Sequence, residues 1–147
     1  MARLSPVDQA FLLLETPDRP MNIGALFVLA PPRGARGFAD RLVKTMLSRP
    51  VGPPFSYRVQ PGPVPGLHTL RDDPRMQPAS QLRRHTLPRG TTLAGLFRRL
   101  CRIHVELLPR DAPMWEQHVF TGLPGGRVAL YFKTHHAMID GIGFLHA

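Results

Sequence analysis

A single cysteine, Cys101, excludes an internal disulfide framework and any zinc site built on cysteines. Long apolar runs are missing too. The N-terminal segment MARLSPVDQAFLLLE offers only Phe11 to Leu14, too short for a signal peptide or a membrane span, and no other stretch approaches the ~18 residues a span needs. The expectation is a reduced, cytoplasmic protein, with attachment to the inner face of a membrane as a peripheral one. Lysine is also scarce: of 19 basic residues only Lys44 and Lys133 are Lys, which leaves 17 Arg (19 − 2) against 10 acids and a net charge of +9. Such a chain adheres to polyanions or anionic lipid, but its charge says little about its fold. Without exposed aromatics interleaved among the arginines, and without a helix-turn-helix or zinc pattern, nucleic acid is not an expected partner.

What is present suits one globular domain. Hydrophobic residues make up 43% of 147 residues and charged residues 20%, enough to bury a core. Ser5-Pro6-Val7-Asp8 has the form of a capped helix start, with the helix running to Glu15 before Pro17. Met21 to Leu29 reads as a buried strand. Phe38, Leu42 and Met46 recur every fourth residue and predict a helix over 37–48. Residues 50–66, with six Pro and three Gly, are expected to be extended or irregular, and 68–89 mostly loop. Leu93, Leu96, Phe97, Leu100, Ile103 and Leu107 trace a helical stripe over 91–108, with Arg98, Arg99 and Arg102 off it on an expected solvated face. Trp115 to Thr121 and Arg127 to Thr134 read as two strands of a hairpin joined by Leu123-Pro124-Gly125-Gly126.

The second of these strands runs straight into His135-His136-Ala137-Met138-Ile139-Asp140-Gly141, and the residues after Gly141 could open a helix. A strand exit presents side chains to a cleft, and adjacent residues on extended backbone point to opposite sides, so at most one imidazole faces it directly. Neutral imidazole, with an ordinary pKa near ~6.5, can take the proton of a hydroxyl that attacks an acyl carbonyl. Asp140 could orient an imidazole or brace the loop, and Gly141 permits a sharp turn. Three readings of the residues stay open at this point. They are a pair of structural histidines, a His135-His136-Asp140 metal set that needs a bent backbone, and an acyl-transfer base.

H-H-x-x-x-D-G after an apolar strand resembles the signature of the coenzyme-A-dependent acyltransferase superfamily. More narrowly, the chain is similar to the N-terminal part of the bacterial wax ester synthase/acyl-CoA:diacylglycerol acyltransferase family. The segments that carry the likeness come in order over nearly the whole chain: Leu4 to Phe11, Met21 to Gly24, Ala112 to Glu116, Gly122 to Arg127, and Lys133 to Gly141. Pro113-Met114-Trp115 departs from the family's Pro-Leu-Trp by a volume-conserving swap, and Trp115 is expected as a core anchor.

The resemblance implies an α/β fold, a mixed sheet flanked by helices, forming one incomplete half of a two-domain, chloramphenicol acetyltransferase-like architecture. Residues 1–147 would be the N-terminal acyltransferase domain, truncated just after the motif, with the C-terminal half absent. The implied activity is O-acyl transfer from a long-chain acyl-CoA to diacylglycerol or a fatty alcohol, giving triacylglycerol or wax ester; the alternative is an inactive lipid- or membrane-binding module of the same fold. By position in the motif, His136 matches the general base, His135 a supporting residue, Asp140 a mainly structural acid and Gly141 the turn residue. No bound cofactor or metal is implied, and acyl-CoA is a co-substrate. A membrane or lipid-droplet surface and a separate C-terminal half are the further partners it would admit. A base without the opposite wall of its channel cannot position a thioester, so little activity is expected of the chain alone.

Overall fold

The computed structural model describes residues 2–138. In chain order the elements are β1 (Ala2–Arg3), α1 (Pro6–Leu14), β2 (Asn22–Leu29), α2 (Phe38–Ser48), β3 (Tyr57–Pro61), β4 (His68–Asp72), α3 (Pro78–Gln81), β5 (Leu82–Thr86), α4 (Leu93–Val105), β6 (Trp115–Thr121) and β7 (Val128–His135). The expected capping box opens α1: Asp8 N–H donates to Ser5 Oγ at 3.1 Å and Ser5 N–H to Asp8 Oδ2 at 3.2 Å. Thr92 caps α4 by accepting from Gly95 N–H. Residues 68–89 depart from the expected loop. They hold β4, α3 and β5; each of the two strands carries a single aliphatic residue, Leu70 or Leu82, among polar neighbours, which leaves little periodicity to read.

Two sheets result. The larger has the order β2-β7-β6-β5; β5 pairs with β6 in parallel and the other pairs are antiparallel, so the sheet is mixed. The smaller is β1-β4-β3. Alternation along the strands gives the large sheet two faces. One carries Phe120, Ala129 and Tyr131 against Leu96, Leu100 and Ile103 of α4. The other carries Val119, Val128 and Leu130 against Val43 and its neighbours on α2. Helices therefore cover both faces. A third cluster joins α1 to the smaller sheet and to the end of β7 through Leu12, Leu70, Met114, Ala137 and Met138.

The C-terminal end of α4 lies over polar residues of the sheet. A helix leaves its last carbonyls without partners and carries partial negative charge there. Lys133 Nζ, on a side chain with no exposed surface, donates to Ile103 O and Glu106 O, both at 2.7 Å, and Asn22 Nδ2 donates to His104 O and Glu106 O. Burial pulls the Lys133 pKa down, and the carboxylates of Glu116, Glu106 and Glu15 oppose that shift. Gly24, beside Lys133 in the β2–β7 pairing, leaves room for the Tyr131 ring, which any Cβ at that position would strike. Lys133→Ala removes two charge-assisted bonds. It should lower stability by about 2–4 kcal/mol, measured by urea unfolding followed through Trp115 fluorescence.

Candidate active site

The site begins where the β2–β7 ladder ends. Asn22 pairs with His135, and the next rung is His136 N–H donating to Met21 O at 2.7 Å. His135 closes β7 and His136 opens the turn, so the backbone leaves the sheet between the two rings. They meet successive turns of α1. The His136 ring stacks on Phe11 with centroids 4.2 Å apart, and His135 Nε2 lies 3.2 Å from Glu15 Oε1. His135 has no exposed surface, whereas His136 is half-buried. Of the pair, only His136 has a side chain that a substrate could reach.

His135 is neutral. Burial pushes its pKa down to about 4, outweighing the opposing pull of the Glu15 carboxylate. Ala137 N–H donates to His135 Nδ1 at 3.0 Å, so Nδ1 carries no proton, and the hydrogen is assigned to Nε2, facing Glu15. The 3.2 Å approach to Glu15 falls short of a full hydrogen bond and sets the polar Nε2–H of a neutral ring beside the carboxylate. The Glu15 side chain is 2% exposed; it also accepts from Met21 N–H and from Arg110 Nη2, each at 3.2 Å. Arg110 Nη2 donates as well to Leu12 O at the end of α1. Nothing in the sequence reading singled out Glu15 or Arg110. The available signal was an acid at the C-cap of a helix, where the macrodipole disfavours it, which asks for a cationic partner from elsewhere.

The segments of the family likeness pack on one another here. Met114 O accepts from His135 N–H and from Thr134 Oγ1, both at 3.0 Å. Trp115 is a buried anchor: its indole donates to Phe55 O at 2.7 Å and stacks on Phe132. Gly122 takes φ +91° with Leu87 O pressed against it, so no side chain fits at that turn. Asp140 and Gly141 lie outside the described residues.

A second polar cluster lies apart from the motif, between α4 and β5–β6. Arg99 donates to His85 Nδ1 at 3.3 Å, His85 Nε2 meets His118 Nδ1 at 2.9 Å, and His118 Nε2 meets Glu116 Oε2 at 3.2 Å. Arginine only donates and a carboxylate only accepts, so every hydrogen in the row points toward Glu116. Arg98, Arg99 and Arg102 are exposed, as expected, but Arg99 and Arg102 also line a cavity of ≈ 500 Å³ over this row.

The neutral His135 fixes a pH dependence. The unfolded chain takes up a proton below the ordinary value of 6.5, while the folded chain does not until about 4. Stability should therefore fall as pH drops from 6.5 toward 4, and His135→Asn should flatten that slope in urea titrations across the window.

The profile of the wax ester synthase/diacylglycerol acyltransferase catalytic domain matches residues 4–147. A candidate diacylglycerol O-acyltransferase of Mycobacterium tuberculosis is 38% identical over 97% of this chain, and a second from that organism is 35% identical over 97%. The chain spans 32% of the length of each. Among solved structures, the wax ester synthase/diacylglycerol acyltransferase of Marinobacter aquaeolei superposes with a TM-score of 0.89 at 30% identity, over 99% of this chain and 37% of that one. The first condensation domain of the calcium-dependent antibiotic synthetase shares the fold alone, with a TM-score of 0.67 at 19% identity over 95% of this chain and 35% of that one. The ordered motifs, the α/β fold and these likenesses agree: the chain belongs to the wax ester synthase/diacylglycerol acyltransferase family.

Proposed function

We propose that this chain supplies the general-base half of an O-acyltransferase that moves a long-chain acyl group from acyl-CoA to diacylglycerol or a fatty alcohol. The observation that carries the reading is the position of His136: a half-buried imidazole at a strand exit, fixed by its own backbone N–H and by the Phe11 ring, beside a histidine that is wholly enclosed. Nδ1 of His136 is buried without a hydrogen-bond partner among the described residues, which leaves Nε2 as the nitrogen for an acceptor alcohol. His136 Nε2 takes the hydroxyl proton as the oxygen attacks the thioester carbonyl. The carbon–sulfur bond then breaks, and the imidazolium returns the proton to the departing thiolate, giving ester and free coenzyme A. His135, neutral and enclosed, supports the loop rather than the proton transfer. Asp140 and Gly141 would brace and turn the loop beyond it.

The chain spans about a third of its relatives, so the channel that positions a thioester needs a second wall, and a separate chain or segment carrying the rest of the family architecture is the proposed partner. Exposed Leu13, Leu14, Phe27 and Phe97 are apolar surface available for such a partner or for a membrane or lipid-droplet surface. Joined to the remaining two-thirds of a family member, the chain should form ester from palmitoyl-CoA and hexadecanol or diacylglycerol. In that assay His136→Ala should cut kcat by about 10²–10⁴-fold. Undiminished turnover would remove His136 from the base role.

A further inference from the structure

Two arms converge on Glu15 from either side of His136, one hydrogen-bonded to its carboxylate and one in close polar approach. The first arm is the Met21 peptide, whose N–H donates to Glu15 Oε1 at 3.2 Å and whose carbonyl accepts the His136 N–H at 2.7 Å. The second arm is His135, whose Nε2 faces Glu15 Oε1 at 3.2 Å and whose Nδ1 accepts the Ala137 N–H at 3.0 Å. The amides of His136 and of the residue after it are thus both tied, through one intermediary each, to the same carboxylate oxygen. We infer that Glu15 is a positioning residue, a buried carboxylate that sets the backbone angle at which His136 presents its ring. The inference rests on the proposed acyl-transfer role of His136.

The surroundings of Glu15 support an anion held for this purpose. Its side chain is 2% exposed, yet it sits at the C-terminal end of α1, where the helix dipole repels it. Burying a carboxylate there costs stability unless partners compensate. The compensation comes from three segments: Arg110 Nη2 at 3.2 Å on Oε2, the Met21 amide just before β2, and His135 at the end of β7. A carboxylate needed only to close α1 would require none of the contacts to β2 and β7. Phe11, one turn earlier on α1, stacks on the His136 ring, so the same helix sets the ring plane and the backbone behind it.

The test uses Glu15→Gln, which keeps the shape and removes the charge. In the 147-residue chain, amide exchange of His136 and Ala137 should quicken roughly tenfold or more while amides in the middle of β6 keep their protection. In the joined enzyme, kcat should fall by about 10²-fold with KM within about twofold, since a misplaced base costs rate rather than affinity. Glu15→Asp, which keeps the charge but shortens the reach, gives the same two comparisons if the Gln variant does not fold. Exchange that quickens evenly across the large sheet, or an unchanged kcat, would overturn the inference by leaving Glu15 a purely structural acid. Failure of the acyl-transfer reading gives a different pattern: His136→Ala stays active, while the local exchange effect of Glu15→Gln persists.

Discussion

Everything at the site depends on the full-length pairing of β2 with β7. Eight residues on each strand are in register from Leu29↔Val128 to Asn22↔His135, and the rung beyond them is the His136 amide on the Met21 carbonyl. A slip of one residue would turn Tyr131, Lys133 and His135 to the α2 face and bring Val128, Leu130 and Thr134 under α4. Charged and polar groups would then face the cluster that α2 covers. The cost of that exchange fixes the register, and the register fixes which histidine is enclosed.

Polar burial reinforces the same arrangement. Lys133 and His135 lie two residues apart on one face of β7 and both have no exposed surface. Lys133 takes up carbonyls at the end of α4, and His135 sits beside the acid at the end of α1. Two helix C-termini, each partly negative, are therefore met by polar donors: α4 by the Lys133 ammonium of β7 and the Asn22 amide of β2, α1 by Arg110 on Leu12 O. Apolar packing alone would let either helix slide along the sheet. Hydrogen bonds to named carbonyls set the helices in depth as well as in orientation.

Much of this was legible in the sequence because its signals are local. The Ser5–Asp8 capping box, the stripes on α2 and α4, the turn at Leu123 to Gly126 and the alternation Val128, Leu130, Phe132 each specify an element from a few neighbouring residues. The strand exit at His135-His136 followed from the same alternation, and so did the unequal exposure of the two rings. The rest depends on partners distant in the chain. Glu15 meets Arg110 across 95 residues, and Lys133 reaches Ile103 across 30. β4 and β5 were missed for a related reason: each has a neighbour that supplies the burial, and their own letters, HTLRD and LRRHT, alternate too weakly to announce a strand.

The proposed division of labour between the two histidines draws on the same geometry. A base must exchange protons with a substrate, so it needs a nitrogen that is not permanently enclosed, and a pKa that is not driven far below neutrality. His135 meets neither condition: it is wholly buried, its Nδ1 is taken by the Ala137 amide, and its pKa is pushed down to about 4. These features suit a fixed, neutral spacer instead. It accepts the Ala137 N–H on one nitrogen and faces a carboxylate with the other, and so holds the turn around His136 in place without taking up charge itself. The histidine pair therefore divides into a buried ring that shapes the loop and a half-exposed ring that the loop presents.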